Sequence, residues 1–359
     1  MDPFSHSYAE ARQKFIAAAS EAGAAPVDFP HPTQRGSEGE ELAMDVAWLG
    51  PEDAAHVLLV TSGVHGVEGY AGSGAQVALL RDADTLAACA AHGVALLLVH
   101  AVNPYGFSHC RRVNEDNVDL NRNFMDFSRP LPHNAPYAEV APLLLPEHWP
   151  ASEADDGRLM RMIAERGMAW FQAAVSGGQY EDPDGLFFGG TQPVWSQYTL
   201  RRILARYGAG RRTLRWIDIH TGLGPWGYGE PIHMGPNEPS SLAAARAIWG
   251  QPVTSIYDGS SSSAQLTGMA WRAVGETLPD VDYAGIALEF GTLPAAEVLA
   301  ALRGDHWLHR HPEADTNQGE LVRQAMWRAF YGDADDWRDG VVSQVTDAVR
   351  KAIPIPLRA

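Results

Sequence analysis

The chain has 359 residues, of which 45% are hydrophobic, and a formal charge of -17 at pH 7. That length can bury a substantial core, and the hydrophobic share is that of an ordinary globular protein. So negative a balance argues against nucleic acid, which is bound through basic patches that neutralise phosphates; the simplest meaning of an acidic surface is solubility.

In chain order, residues 1–7 carry neither a basic stretch nor an apolar one of the kind that directs secretion. Residues 8–22 read as an amphipathic helix, followed by a polar stretch containing Pro30, Pro32 and Gly36. Residues 43–49 alternate as a strand does. The apolar runs 57–61 and 94–99 have strand length and are separated by a helix-like segment, 73–91. Strand, helix, strand with short loops is the signature of a mostly parallel sheet. Residues 127–150 hold Pro130, Pro132, Pro136, Pro142, Pro146 and Pro150, so irregular surface chain is expected there. A helix over 153–176 should follow, leading to Gly177-Gly178 and Phe187-Phe188-Gly189-Gly190. We read 127–190 as an insertion beside the functional site, since long ordered loops are usually lids or binding loops. Strands are expected again at 213–219, 231–234 and 283–290, and a helical tail over 320–353. No repeat or low-complexity tract is visible. No run approaches the roughly 18 apolar residues of a membrane span, so no membrane partner is expected. The two cysteines, Cys89 and Cys110, form no disulfide framework, which points to a reducing cytoplasm.

The stretch Ser62-Gly63-Val64-His65-Gly66-Val67-Glu68-Gly69 directly follows the first of the paired apolar strands. A histidine and a carboxylate three residues apart, in a glycine-rich loop at a strand end, can turn toward one metal ion. Ligands in open α/β sheets gather at the carboxyl ends of strands. The strand 213–219 ends at His220, which delivers a second imidazole to that edge, and Asp218 shares its face. The turn Asn103-Pro104-Tyr105-Gly106-Phe107 leads to Arg111-Arg112-Val113-Asn114 and Asp119-Leu120-Asn121-Arg122-Asn123-Phe124. Arginines with asparagine in a loop suit recognition of a carboxylate, although paired arginines alone are more often a solvated face. In Leu288-Glu289-Phe290-Gly291-Thr292 a lone carboxylate interrupts an apolar strand. An ionised carboxylate is costly to desolvate, so a general base for a water is a simple explanation.

In order and in type these motifs resemble those of the zinc carboxypeptidases of the M14 type, and more narrowly the DUF2817 group. The resemblance implies a single α/β domain over residues 1–359, with a mostly parallel, mixed sheet of eight strands flanked by helices. It implies that His65, Glu68 and His220 hold one Zn²⁺ and that Asp119 orients the first histidine. It further implies that Asn121 and Arg122 grip a substrate carboxylate, that Arg112 polarises the scissile carbonyl with Arg111 as the fallback, and that Glu289 is the general acid/base. The implied activity is hydrolysis of an amide bond in a small substrate with a free carboxylate, a short peptide for a carboxypeptidase. An N-acyl-amino-acid deacylase of the aspartoacylase and succinylglutamate desuccinylase type needs the same groups and is the alternative. A catalytically inactive binding module is the third reading.

The chain departs from the carboxypeptidase pattern where a mobile-loop tyrosine is expected. Residues 264–271 contain none, and Tyr257 and Tyr283 lie on either side. The closely spaced His306, His309 and His311 would be a second metal site or, more simply, structural histidines. Cys110 beside Arg111 is read as a packed thiol for want of a catalytic partner. The tryptophans are read as core and pocket walls, and Gly72-x-Gly74 is too short for a dinucleotide fingerprint.

Overall fold

Four apolar runs decide the architecture: β3 (His56–Ser62), β4 (Val94–His100), β5 (Thr213–Trp226) and β7 (Asp282–Gly291). Strands covered on both faces read as near-continuous hydrophobic runs, and they pair in parallel. In a computed structural model that describes residues 2–353, they form the centre of a mixed sheet. With β1 (Val27–Arg35), β2 (Glu41–Leu49) and β6 (Gly229–His233) the order is β1-β2-β4-β3-β5-β7-β6, and β1, β2 and β6 run antiparallel to their neighbours. Leu58, Val60, Ile217, Ile219 and Ile286 fill one core, and Val57, Leu59, Leu97 and Trp216 fill the other, as the period of two requires. The architecture is a single α/β domain with helices on both faces of the sheet.

Several expectations are corrected. Among the described residues the sheet has seven strands rather than eight. The polar stretch after the first helix is β1, an edge strand that tolerates Pro30 and Pro32 because an edge residue can spare its N–H. Residues 127–150 are not wholly irregular. Pro136 falls in the first turn of the helix Ala135–Leu144, where its missing N–H would have had no partner. The expected helix 153–176 is two, Glu153–Arg166 and Met168–Ser176, split at Gly167 with φ 89°. The segment 73–91 is likewise two helices, Gly69–Leu80 and Ala83–Ala91, the second capped when Asp82 accepts from the Thr85 N–H. The tail is Thr316–Phe330 and Asp335–Ala352.

Between its parallel neighbours, β3 is followed in the chain by β4 on one side, while β5 lies on the other. That reversal of direction opens a crevice at the strands' carboxyl ends, where the loop after β3 and the ends of β5 and β7 meet.

Candidate active site

The loop that carries His65 is held by close backbone packing. A Cβ on Gly66 would fall 2.1 Å from the carbonyl carbon of Gly106, so only glycine admits this approach. The N–H groups of Gly66 and Val67 donate to the carbonyls of Arg112 (3.0 Å) and Arg111 (2.8 Å). Asn103 caps the short helix Pro104–Ser108 by accepting from the Gly106 N–H. The turn 103–107 therefore sets the distance between the His65 loop and the arginine segment.

Three donors converge at the crevice. His65 Nδ1 lies 2.9 Å from Glu68 Oε1, His220 Nδ1 lies 2.8 Å from Glu68 Oε2, and the two Nδ1 atoms are 3.2 Å apart. All three residues are buried, and they are the only group of His, Cys, Asp or Glu among the described residues that gathers three ligand atoms within 4.8 Å. Each imidazole is braced from behind. His220 Nε2 lies 2.7 Å from Asp218 Oδ2, and His65 Nε2 lies 3.3 Å from Asp119 Oδ1. The Asp218 carboxylate at Nε2 keeps the His220 proton there and turns that ring's Nδ1 lone pair inward, as metal-binding histidines require. Asp218 is fixed in turn by Thr61 Oγ1, which accepts from Trp216 Nε1 (2.7 Å). Two inward imidazole nitrogens and a carboxylate, buried and nearly touching, form a donor set that fits zinc.

Arg112 lies against this group. Its Nε donates to Asp119 Oδ2 (3.0 Å) and its Nη1 to Glu68 Oε1 (3.1 Å), while Nη2 is 2.8 Å from His65 Nε2. Arg122, 2% exposed, donates from Nε and Nη2 to the carbonyl of Ser176 and from Nη1 to that of Asn121. A guanidinium has five N–H donors, so each arginine retains one uncommitted N–H on each terminal nitrogen. Asn121 Oδ1 accepts from the Ala270 N–H (3.0 Å), which ties this segment to the loop 264–271. Burial alone would raise the Asp119 carboxyl, but Arg122, Arg112 and His65 hold it well below the usual range.

Glu289 pairs in register with His220 across the β5–β7 ladder and so shares its face. Its Oε1 accepts from the Leu223 N–H (3.1 Å). Burial, then the Glu68 charge, push the Glu289 carboxyl up to about 8. Burial also penalises the Glu68 carboxylate, but His65 and His220 outweigh it and hold that group low. Two carboxyls in one dry volume divide in this way, the one with cationic neighbours ionising first.

Some of the predicted residues lie elsewhere. Arg111 turns away from the crevice: its Nε donates to Asp305, its Nη2 to Asn117 Oδ1 (3.0 Å), and His309 Nδ1 is 3.3 Å from Nη1. His306 and His311 bond the carbonyls of Leu302 and Trp307 and do not converge. Tyr257 donates to the carbonyl of Gly235. Burial pushes the Cys110 thiol up to about 12, as for a packed, inert side chain. Two residues escaped the sequence reading. Glu230 pairs in register with Glu289 and accepts from Thr254 and Ser262. It was visible only as an acidic residue at the margin of an expected strand. Phe187 stacks on both Arg112 and Arg122, and its diphenylalanine motif gave no sign of this.

Residues 4–344 match the sequence profile of DUF2817, a protein family of unknown function. The chain belongs to the DUF2817 family. No curated protein matches it significantly. Among solved structures, the DUF2817 chain is similar to carboxypeptidase A from Helicoverpa armigera, at 15% identity and TM-score 0.44, over 90% of this chain and 74% of that one. It is also similar to a metallo-carboxypeptidase from Burkholderia cenocepacia, at 13% identity and TM-score 0.41, over 89% and 67%. A Shewanella amazonensis protein assigned to the succinylglutamate desuccinylase / aspartoacylase family gives 16% identity and TM-score 0.37, over 80% and 72%.

Proposed function

We propose that this DUF2817 protein is a zinc-dependent hydrolase of an amide bond in a small substrate bearing a free carboxylate. The observation that carries the reading is Glu289, a buried carboxyl in register with His220 and beside a convergent His65, Glu68 and His220 donor set. Zinc held by those three residues would supply Lewis-acid polarisation and ease deprotonation of water.

The chain's own groups do the rest. Glu289 takes a proton from the attacking water as the C–O bond forms. The uncommitted N–H groups of Arg112 stabilise negative charge developing on the carbonyl oxygen. As the C–N bond breaks, Glu289 returns the proton to the leaving amine, so that water is added across the amide with no net proton change. The free N–H groups of Arg122, with Asn121, hold the substrate carboxylate; Asp119 and Asp218 orient the two imidazoles.

A metallocarboxypeptidase acting on short peptides is the leading form. An N-acyl-amino-acid deacylase is the alternative, since the Arg122 clamp beside Ser176 and Phe187 would serve either substrate's carboxylate. A cavity of about 310 Å³ lined by Gly222, Leu223, Thr292 and Leu293 adjoins the N–H that holds Glu289. Its size lies at the lower end of small-molecule pockets. The test is a parallel assay of zinc-loaded protein on short peptides and N-acyl amino acids, with Glu289→Gln as control. Hydrolysis should fall by about 10²- to 10⁴-fold in the variant while zinc stays bound. Wild-type-like turnover in Glu289→Gln would remove that residue from its role.

A further inference from the structure

Phe187 has φ 54°, a left-handed backbone conformation that is a true outlier for a bulky aromatic residue. Its neighbours enforce it from both sides. The Phe187 carbonyl accepts from Gln179 N–H (3.2 Å), the Phe188 carbonyl accepts from Asp119 N–H (2.8 Å), and Gly189 N–H donates to Gln179 (2.8 Å). Strain of this kind persists where surrounding structure over-determines it, and it concentrates at functional sites. The conformation delivers the ring to one place: the guanidinium carbons of Arg112 and Arg122 each lie 5.4 Å from its centroid.

Two like charges sharing a buried corner repel each other. Asp119 answers them on one side, 3.0 Å from Arg112 Nε and 3.7 Å from Arg122 Nη1, but His65 also draws on that carboxylate. The negative face of an aromatic ring attracts a guanidinium without accepting its in-plane N–H groups. A second carboxylate in that position would bond those N–H groups and neutralise the clamp.

We infer that Phe187 is a positioning residue that holds Arg112 and Arg122 apart, with the free N–H groups of Arg122 available to the substrate carboxylate and those of Arg112 to the carbonyl oxygen. The inference rests on the carboxylate-clamp reading above and deepens it. The ring fixes the spacing of the two cations, and the strained turn fixes the ring. Arg112 and Arg122 thus form a paired anion receptor whose selectivity depends on a residue of the 127–190 segment.

The test is calorimetric titration of the zinc-loaded protein with succinate, a plain dicarboxylate, in the wild type and in Phe187→Tyr, Phe187→Leu, Phe187→Ala and Phe187→Gly. Phe187→Tyr should bind within about twofold of wild type, whereas the Leu, Ala and Gly variants should bind roughly 3- to 30-fold more weakly. Zinc content should be equal throughout. Phe187→Gly should melt above Phe187→Ala, since glycine accepts positive φ freely. A purely structural ring predicts that affinity follows melting temperature, and that the Gly variant recovers binding relative to the Ala variant. The inference is overturned if Phe187→Leu binds succinate like the wild type, if Phe187→Tyr loses as much as Phe187→Leu, or if the wild type shows no saturable binding. Because succinate binding involves no turnover, a protein that hydrolyses no peptide or acyl amino acid yet shows the Phe187 dependence would refute the hydrolase alone. Hydrolysis with succinate affinity insensitive to Phe187 would refute this inference alone.

Discussion

Arg111 and Arg112 are neighbours in sequence with opposite settings. Arg112 enters the crevice and contacts Glu68, Asp119 and His65. Arg111 turns away from it and closes on Asp305, Asn117 and His309. Their carbonyls both accept from the His65 loop, so the backbone treats them alike and only the side chains part. The two ion pairs differ in what remains unsatisfied. Arg111 spends its donors on fixed partners from the helix Ala295–Arg310 and the loop before Val118, and it functions as a strut. Arg112 meets an excess of electron-pair donors that a divalent cation would also claim. A cation with permanent partners builds the fold, and on the proposed mechanism one with divided partners is available to a substrate.

Removing one member of a buried pair strands the other, so Arg111→Ala should have the largest effect on folding. We expect a loss of about 3–5 kcal/mol in urea unfolding, from the uncompensated Asp305 charge, with little change in turnover per folded molecule. A stable but inactive Arg111→Ala protein would reverse the assignment of the two arginines. Arg112→Ala should show the converse: a drop of about 10²- to 10³-fold in kcat, equivalent to roughly 2.7–4 kcal/mol, as for loss of an oxyanion donor. Its melting temperature should move less than that of Arg111→Ala, and an unchanged kcat would place Arg112 outside the chemistry.

The strut side also carries a pH signature. Burial lowers the His306 imidazole to about 4, with Asp305 opposing and Arg111 adding to the shift. The unfolded chain binds that proton near the ordinary value of about 6.5, so between those values the unfolded state holds more protons and stability falls as pH falls. The contribution is complete above pH 6.5 and is lost on the way to about pH 4, amounting to about 3 kcal/mol at most. His306→Leu should therefore flatten unfolding free energy against pH in that window; a curve of unchanged slope would assign the acid sensitivity elsewhere.

Placement was legible where the local pattern decides it. The apolar runs gave the parallel strands, and a lone carboxylate in 283–290 was enough to single out Glu289. The glycine-rich loop after β3 gave His65 and Glu68, since sequence alone places them at a strand end. What was not legible depends on partners distant in sequence. Nothing in Arg111-Arg112 says which guanidinium meets Glu68 and which meets Asp305, because Asp305 is nearly two hundred residues away. Glu230 needed the β6–β7 register, which shifts every side chain to the other face if it slips by one residue. Phe187 needed both a backbone outlier and two arginines from other segments. The prolines of 127–150 do not exclude a helix, because Pro136 sits in the first turn of Ala135–Leu144, although Pro142 lies inside it.

The measurement that tests the account most directly is the metal content of the purified protein and of His65→Ala, by mass spectrometry under native conditions. The account predicts about one zinc per wild-type chain and loss of zinc from the variant. A wild-type protein that holds no zinc after the metal is added back, or a His65→Ala protein that holds it undiminished, would contradict the metal centre and the hydrolase built on it.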